Sequence, residues 1–181
     1  MDDEALWRDY TGGDASAFDE VYSRHRGGLY RYVTRQCNDC AEAEELFQDI
    51  WMQAIRGRDG FDGGNLKAWL YRIAHNRLVD HFRRHKGEGV ELDEADGAVV
   101  ELHRHWPEHL LALRDCVERL FALLTGLSAA QRDAFLLKEE GGFSLEEIGR
   151  ITDCGRETVK SRLRYALTRL RKGLGDCEEA L

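Results

Sequence analysis

Proline occurs once in this 181-residue chain, and no stretch sustains the two-residue alternation of a half-buried strand. Apolar residues recur instead every three or four positions, so almost the whole chain has to be read as helix. A short helix near Asp2–Tyr10 ends at Gly12-Gly13. Asp14 suits the N-cap of a longer helix that turns Phe18, Val21, Tyr22, His25, Leu29, Tyr32 and Val33 inward. A third helix runs from about Ala41 to Arg56 on a stripe of Ala43, Leu46, Phe47, Ile50 and Ala54. The glycine-rich break Gly57–Gly64 separates it from a fourth, roughly Leu66–His85, with Leu66, Leu70 and Ile73 facing the core. These four predict an N-terminal helical domain over 1–86. From 87 to 106 the composition shifts to acids and small residues, which reads as a solubilising tether. Pro107 fits the first turn of a new helix, opening a second domain over 107–175 and leaving a tail at 176–181. The expected fold is all-α: two small helical domains joined by a flexible acidic linker.

The second domain carries the sharpest local pattern. Ser128 with Gln131 and Ser144 with Glu147 are capping boxes, each starting a helix. After Ser144, the positions Leu145, Ile148 and Ile151 form an apolar side, and Asp153-Cys154-Gly155 breaks the helix. The next helix starts at about Arg156, with Val159, Leu163, Leu167 and Leu170 on its inner stripe and cations outward. A short helix, a turn and a basic helix is the helix-turn-helix pattern, whose second helix can enter the DNA major groove. Arg156, Glu157, Thr158, Lys160, Ser161 and Arg164 are then the candidates for groove contacts, since Arg pairs with guanine and Glu accepts from cytosine. Arg169, Arg171 and Lys172 lie further along and suit phosphate or solvent.

Net charge argues against a chain that coats DNA unaided. There are 26 Lys+Arg against 34 Asp+Glu, a formal charge of −8, whereas phosphate neutralisation is the main source of non-specific affinity. The charge is segregated, however. Residues 1–50 hold twelve acids and five bases (−7), 66–86 six bases and one acid (+5), 87–118 nine acids and two bases (−7), and 156–172 seven bases and one acid (+6). Two basic helices flank an acidic segment, so a partner is expected to present the two cationic surfaces together. Along the fourth helix, Arg72, Asn76 and Arg83 share one edge, with Trp69 at its border with the core. An aromatic beside cations suits single-stranded DNA, where bases stack and cations hold the backbone; an ordinary solvated basic face beside a core tryptophan is the alternative. Asp80 lies within a turn of Arg77 and Arg84, suiting a local ion pair.

No apolar run reaches the length of a membrane span, and no signal peptide opens the chain, so a cytoplasmic setting without membrane insertion is expected. Five cysteines in a chain able to build its own core suggest free thiols in a reducing compartment. Cys37 and Cys40 form a C-x-x-C, but a structural zinc needs four ligands and no second pair exists. His103, His105 and His109 could join it, with Cys116 a further candidate, but two ordinary cysteines at a helix junction are the simpler account. No pair of carboxylates comes with a nucleophile or a phosphate-binding loop. Neither an enzyme, a cofactor nor a metal is expected.

The order of elements resembles the bacterial RNA polymerase sigma factors of the extracytoplasmic-function type. AFDEVYSRHRGGLYRYV, AEAEELFQDIWMQAI and NLKAWLYRIAHNRLVDHFRRH are similar to pieces of region 2 of that family. The segment LSAAQRDAFLLKEEGGFSLEEIGRITDCGRETVKSRLRYALTRLRKGL is similar to its region 4. The resemblance implies a promoter-specificity subunit that joins core RNA polymerase, reads a −35 element as duplex through the helix-turn-helix and captures a melted −10 element through the N-terminal domain. It implies that Arg58, Asp59, Phe61, Asp62 and Asn65 form a pocket for an extruded base beside Trp69, Arg72, Asn76 and Arg83. It further implies that Glu45, Gln48 and Asp49 contact the polymerase, that the acidic linker threads the polymerase cleft, and that an anti-sigma factor controls the chain. One departure stands at the turn, where the family commonly has glycine and this chain has Asp153. Aspartate reaches left-handed backbone less freely than glycine; a turn centred on Gly155 instead would shift the base contacts by two residues. Two rival readings are a free-standing helix-turn-helix regulator, which would need a dimer to span two half-sites, and a sigma-like module that does not initiate.

Overall fold

The computed structural model describes residues 2–37, 39–87 and 111–177, and among these the regular structure is entirely helical. Eight α-helices follow one another: α1 (Asp3–Thr11), α2 (Ala15–Thr34), α3 (Cys40–Arg56), α4 (Leu66–Gly87), α5 (Leu111–Thr125), α6 (Ala129–Glu139), α7 (Leu145–Ile151) and α8 (Arg156–Leu174), with a 3-10 turn at Arg58–Gly60. Side-chain caps start most of them. Asp2, Asp14 and Asp39 accept backbone N–H bonds from Ala5, Ser16 and Ala41, satisfying donors that a helix N-terminus leaves without partners. Both capping boxes form as the sequence predicts, Ser128 with Gln131 and Ser144 with Glu147. The acidic linker and the helix start at Pro107 lie outside the described residues, as do His103, His105, His109 and the end of the tail.

Helices α1–α4 close around Trp7, Val21, Leu29, Tyr32, Ile50, Leu66 and Leu70, all nearly or fully buried. Ile73 is only half-buried, and Tyr71, Ala74 and Leu78 carry the inner side of α4 instead. The reason is that Tyr71 is shared between the halves: its ring lies 5.0 Å from Phe143 and 5.1 Å from Tyr32. In the C-terminal half, Val159, Leu163, Ala166 and Leu170 line the inner face of α8. A smaller cluster of Leu124, Leu127, Ala166 and Leu170 joins α5 to α8.

The two halves meet along a buried seam. Asp133 of α6 is 7 % exposed. It accepts from the Tyr32 hydroxyl (2.5 Å) and the Gln36 amide (3.1 Å), and lies 2.9 Å from His75 Nδ1. Burial, with the Asp133 carboxylate beside it, pushes the Tyr32 phenol well above its ordinary range. Around this centre Glu140 meets both Arg31 and Arg35, and Lys67 Nζ donates to the Gly141 carbonyl at 2.7 Å. A buried carboxylate is tolerated only when its lone pairs are filled, and here three side chains of the other half fill them.

Cys116 and Cys177 are joined by a disulfide across α5 and the end of the described chain, with Cα atoms 5.8 Å apart. This corrects the expectation that all five cysteines are free: the antiparallel neighbourhood of α5 and α8 brings together two thiols 61 residues apart in sequence. Cys37, Cys40 and Cys154 are free.

Candidate nucleic-acid interface

The helix-turn-helix is built by α7, a tight turn and α8. Asp153 adopts φ 49°, so the left-handed residue of the turn is the aspartate itself, and Gly155 is the N-cap of α8 with an ordinary φ of −70°. The turn is therefore not displaced toward Gly155. A second requirement was not visible in the sequence. A Cβ on Gly149 would lie 2.7 Å from the Cys154 carbonyl oxygen, and the Gly149 carbonyl accepts from the Cys154 N–H at 2.9 Å. The turn folds back so closely on α7 that only glycine fits at 149.

Arg156, Glu157, Thr158, Lys160 and Arg164 are exposed on the outer side of α8, and Ser161 is half-buried. Arg156 pairs with Glu146 at 2.6 Å and Glu157 at 3.4 Å, and Lys160 lies 3.7 Å from Glu157. Such exposed pairs are worth little in water, so these cations can exchange their carboxylates for phosphate or base edges at small cost. Arg162 turns inward instead and places its guanidinium 3.4 Å from Cys154 Sγ.

On α4 the polar edge is present: Arg72, Asn76 and Arg83 are exposed, with Val79 between them at 48 % exposure. Asp80 pairs with Arg83 at 3.0 Å, while Arg77 meets Asp49 of α3. Trp69 is half-buried and belongs to an aromatic run: Trp7 lies edge-on at 5.3 Å and Phe61 tilted at 5.6 Å. Trp7 is the residue that sequence reasoning missed. It is 1 % exposed, and its Nε1–H donates to the Arg58 carbonyl at 3.2 Å, tying α1 to the loop before α4. No local pattern signals a contact across 51 residues.

In that loop Arg58, Asp59, Asp62 and Asn65 are exposed and Phe61 is half-buried. Asn65 serves both halves: its Oδ1 accepts from the Ala68 N–H at 3.0 Å, and its Nδ2 donates to Glu147 at 2.7 Å. The Ser144 backbone and hydroxyl, followed by Asn65, hold the Glu147 carboxyl below its ordinary value. In this arrangement one member of the loop set is occupied by the helix-turn-helix domain. On α3, Glu45 and Gln48 are exposed, and Asp49 is half-buried against Arg77. Beside them Met52 and Tyr30 leave an apolar surface open at 44 % and 37 %. The described residues contain no group of three or more His, Cys, Asp or Glu placed to hold a metal ion, and no described helix is long and apolar enough to cross a membrane.

Comparison with known proteins bears on both halves. The Sigma-70 region 2 family matches residues 21–88, and the Sigma-70, region 4 family matches residues 113–170. The ECF RNA polymerase sigma factor SigK of Mycobacterium bovis is 31% identical over 173 residues, covering 94% of this chain and 92% of the relative. SigK of Mycolicibacterium vanbaalenii is 29% identical over 174 residues, covering 95% and 89%. Among solved structures, the sigma factor RpoE of Bartonella quintana, in complex with the anti-sigma factor NepR, shares 28% identity. Its TM-score is 0.69, with 87% of this chain and 96% of that one covered. CnrH, in complex with the cytosolic domain of CnrY, has a TM-score of 0.72 at 21% identity, covering 97% and 99%, and shares the fold. With matches to both regions in order and relatives aligned over nearly its whole length, the chain belongs to the extracytoplasmic-function sigma factors, the promoter-specificity subunits of RNA polymerase.

Proposed function

We propose that this chain acts in the cytoplasm, binds core RNA polymerase through the α2–α3 face around Glu45, Gln48 and Asp49, and divides promoter reading between its halves. Domain 107–175 reads the −35 duplex with Arg156, Glu157, Thr158, Lys160, Ser161 and Arg164. Domain 1–86 captures the melted −10 strand with Trp69, Arg72, Asn76 and Arg83, and an extruded base enters the loop of Arg58, Asp59, Phe61, Asp62 and Asn65. The observation that carries the reading is the aromatic run beside the exposed cationic edge of α4, an arrangement a duplex reader does not need. Removing a base from the duplex costs a few kcal/mol, recovered by stacking and by hydrogen bonds to its edge. Strand opening then follows from binding alone, because holding unpaired bases stabilises the open form. The chain itself carries out no chemistry in this reading; polymerisation belongs to the core.

The seam sets a condition on this function. Elements at −35 and −10 are about 25 base pairs apart, or ~85 Å at ~3.4 Å per pair. A compact chain of this length has a radius of gyration of only ~16 Å. The halves must therefore separate to occupy both elements, and Asn65 must release Glu147. An anti-sigma factor that favours the packed halves would hold the chain inactive, a reading supported by the similarity to RpoE solved with NepR.

The test is to mix the purified chain with core RNA polymerase and a mixed promoter library. Co-elution with discrete start sites is the expected result. Co-elution without transcripts would favour the non-initiating module. Absence of association would return the chain to the free-standing regulator.

A further inference from the structure

The candidate base pocket has a wall that lies outside the residues matched by the region 2 family. A cleft of about 430 Å³ opens between α1 and the loop before α4, within the size range of small-ligand sites. One side is made by Glu4, Trp7, Arg8 and Thr11, the other by Arg58, Asp59, Phe61, Asp62 and Gly63. The family match begins at residue 21, so α1 lies outside the matched segment.

Three observations make this wall more than packing. Trp7 is buried and fixes the loop by donating to the Arg58 carbonyl, while its ring supports Trp69. Glu4 and Arg8 form an ion pair at 3.2 Å on the same side of α1, 43 % and 72 % exposed, so an acceptor and a donor stand together at the cleft. The loop also comes in close to Glu4: Gly63, at φ 102°, has no side chain, and a Cβ there would lie 3.3 Å from Glu4 Oε1.

The charges define the ligand. Glu4, Asp59 and Asp62 outnumber Arg8 and Arg58, which disfavours a phosphate and favours a neutral group rich in N–H donors. A carboxylate accepts from an exocyclic amino group, and the adjacent guanidinium donates to the ring nitrogen or carbonyl beside it. Adenine, cytosine and guanine each present such an edge. Thymine has no amino group and sets carbonyls on both sides of its single N–H.

We propose that α1 is the specificity wall of the −10 pocket: Glu4 and Arg8 read the edge of the extruded base and select an amino-bearing base over thymine, while Trp7 is a positioning residue that holds the loop. This inference rests on the proposed capture of a melted −10 strand.

The test uses the full chain with core RNA polymerase and fork-junction probes carrying each of the four bases at each −10 position. With Glu4→Gln, the new amide can donate to a thymine carbonyl. The relative use of thymine at one position should rise by about fivefold or more, with the other positions, −35 duplex affinity and core affinity unchanged. Arg8→Ala should weaken discrimination at that same position. Trp7→Phe keeps a ring but removes the N–H bond to the loop, and should lower discrimination there by about threefold or more; circular dichroism would separate this from unfolding. Equal loss at every position, or an unchanged base profile in Glu4→Gln, would overturn the role of α1 while leaving −10 capture intact. A wild-type chain with no −10 preference at all would overturn both.

Discussion

The two surfaces proposed to face DNA in this sigma factor are built in opposite ways. The α8 surface is local: a capped helix, a turn and a basic helix, with Arg156 and Lys160 held only by acids within a few residues or one helix away. The α4 surface is assembled from distant parts. Trp69 rests on Trp7 of α1, the loop is tied to α1 through Arg58, and Asn65 reaches into the other half to Glu147. A reader of intact duplex needs only an exposed row of side chains on a rigid helix. A surface that holds single bases needs depth and aromatic backing, and depth requires contributions from several elements. The contrast also places control. The proposed −10 surface shares Asn65 with the seam, whereas the outer side of α8 makes none of the seam contacts given above.

The largest effect is expected at the seam. Asp133→Ala leaves the Tyr32 hydroxyl, the Gln36 amide and His75 without their shared acceptor, and removal of one member of a buried polar network costs ~3 kcal/mol. Denaturant unfolding should show this loss; a change under ~0.5 kcal/mol would mean that the seam is not closed in solution. Next is the turn. Gly149→Ala forces a Cβ against the Cys154 carbonyl and should cost ~1–3 kcal/mol. It should abolish −35 duplex binding in a mobility-shift assay and spare core affinity, because the proposed polymerase-binding residues Glu45, Gln48 and Asp49 lie on α3.

Trp69→Ala sharpens the comparison directly. Base–aromatic stacking is worth ~1–3 kcal/mol per base, so opening, read by 2-aminopurine fluorescence at −10, should fall about tenfold while closed-complex affinity changes less than threefold. Equal loss in both would return Trp69 to a purely structural role. The reciprocal change, Arg156→Ala with Lys160→Ala, should weaken duplex binding about tenfold and flatten its salt dependence by ~1–2 in log–log slope. A large drop in core affinity would break the division between the halves.

The smallest effect is a pH dependence. Glu147 has its carboxyl held below the ordinary 4.5 by Ser144 and Asn65. A depressed carboxyl contributes stability above its unfolded value, and the contribution is lost as pH falls through the folded value. Wild-type stability should therefore fall below about pH 4.5 more steeply than that of Glu147→Gln, by an amount visible only in careful comparison of melting curves. Identical acid limbs would mean that neither the Ser144 cap nor Asn65 favours the ionised carboxylate.

Much of the architecture was legible because it is local. The caps at Asp14, Ser128 and Ser144, the glycine break before α4 and most of the inner stripe of α8, where Ala166 is buried in place of the half-buried Leu167, each depend on residues within about one or two turns. At the turn the sequence left two centres open, Asp153 and Gly155, and the structure places the left-handed φ at Asp153. What the sequence could not display was closeness between distant segments. Trp7 finds Arg58, Asp133 finds Tyr32 across 101 residues, and Cys116 finds Cys177 across 61. Each is fixed by how helices stack, and no short-range periodicity encodes it. Arg77 illustrates the limit within one helix: proximity along α4 suggests Asp80, but the packing of α3 offers Asp49.

In this proposed function the closed seam must open before the two surfaces can work together. The measurement that addresses it is energy transfer between dyes placed by non-canonical amino acids at Asp19 on α2 and Thr168 on α8, both exposed. It would be taken first on the free chain and then on the chain bound to core polymerase and promoter DNA. High transfer in the free chain that falls sharply in the promoter complex is the predicted result. Unchanged high transfer in a transcribing complex would contradict the account, because the packed halves would then be reaching both promoter elements.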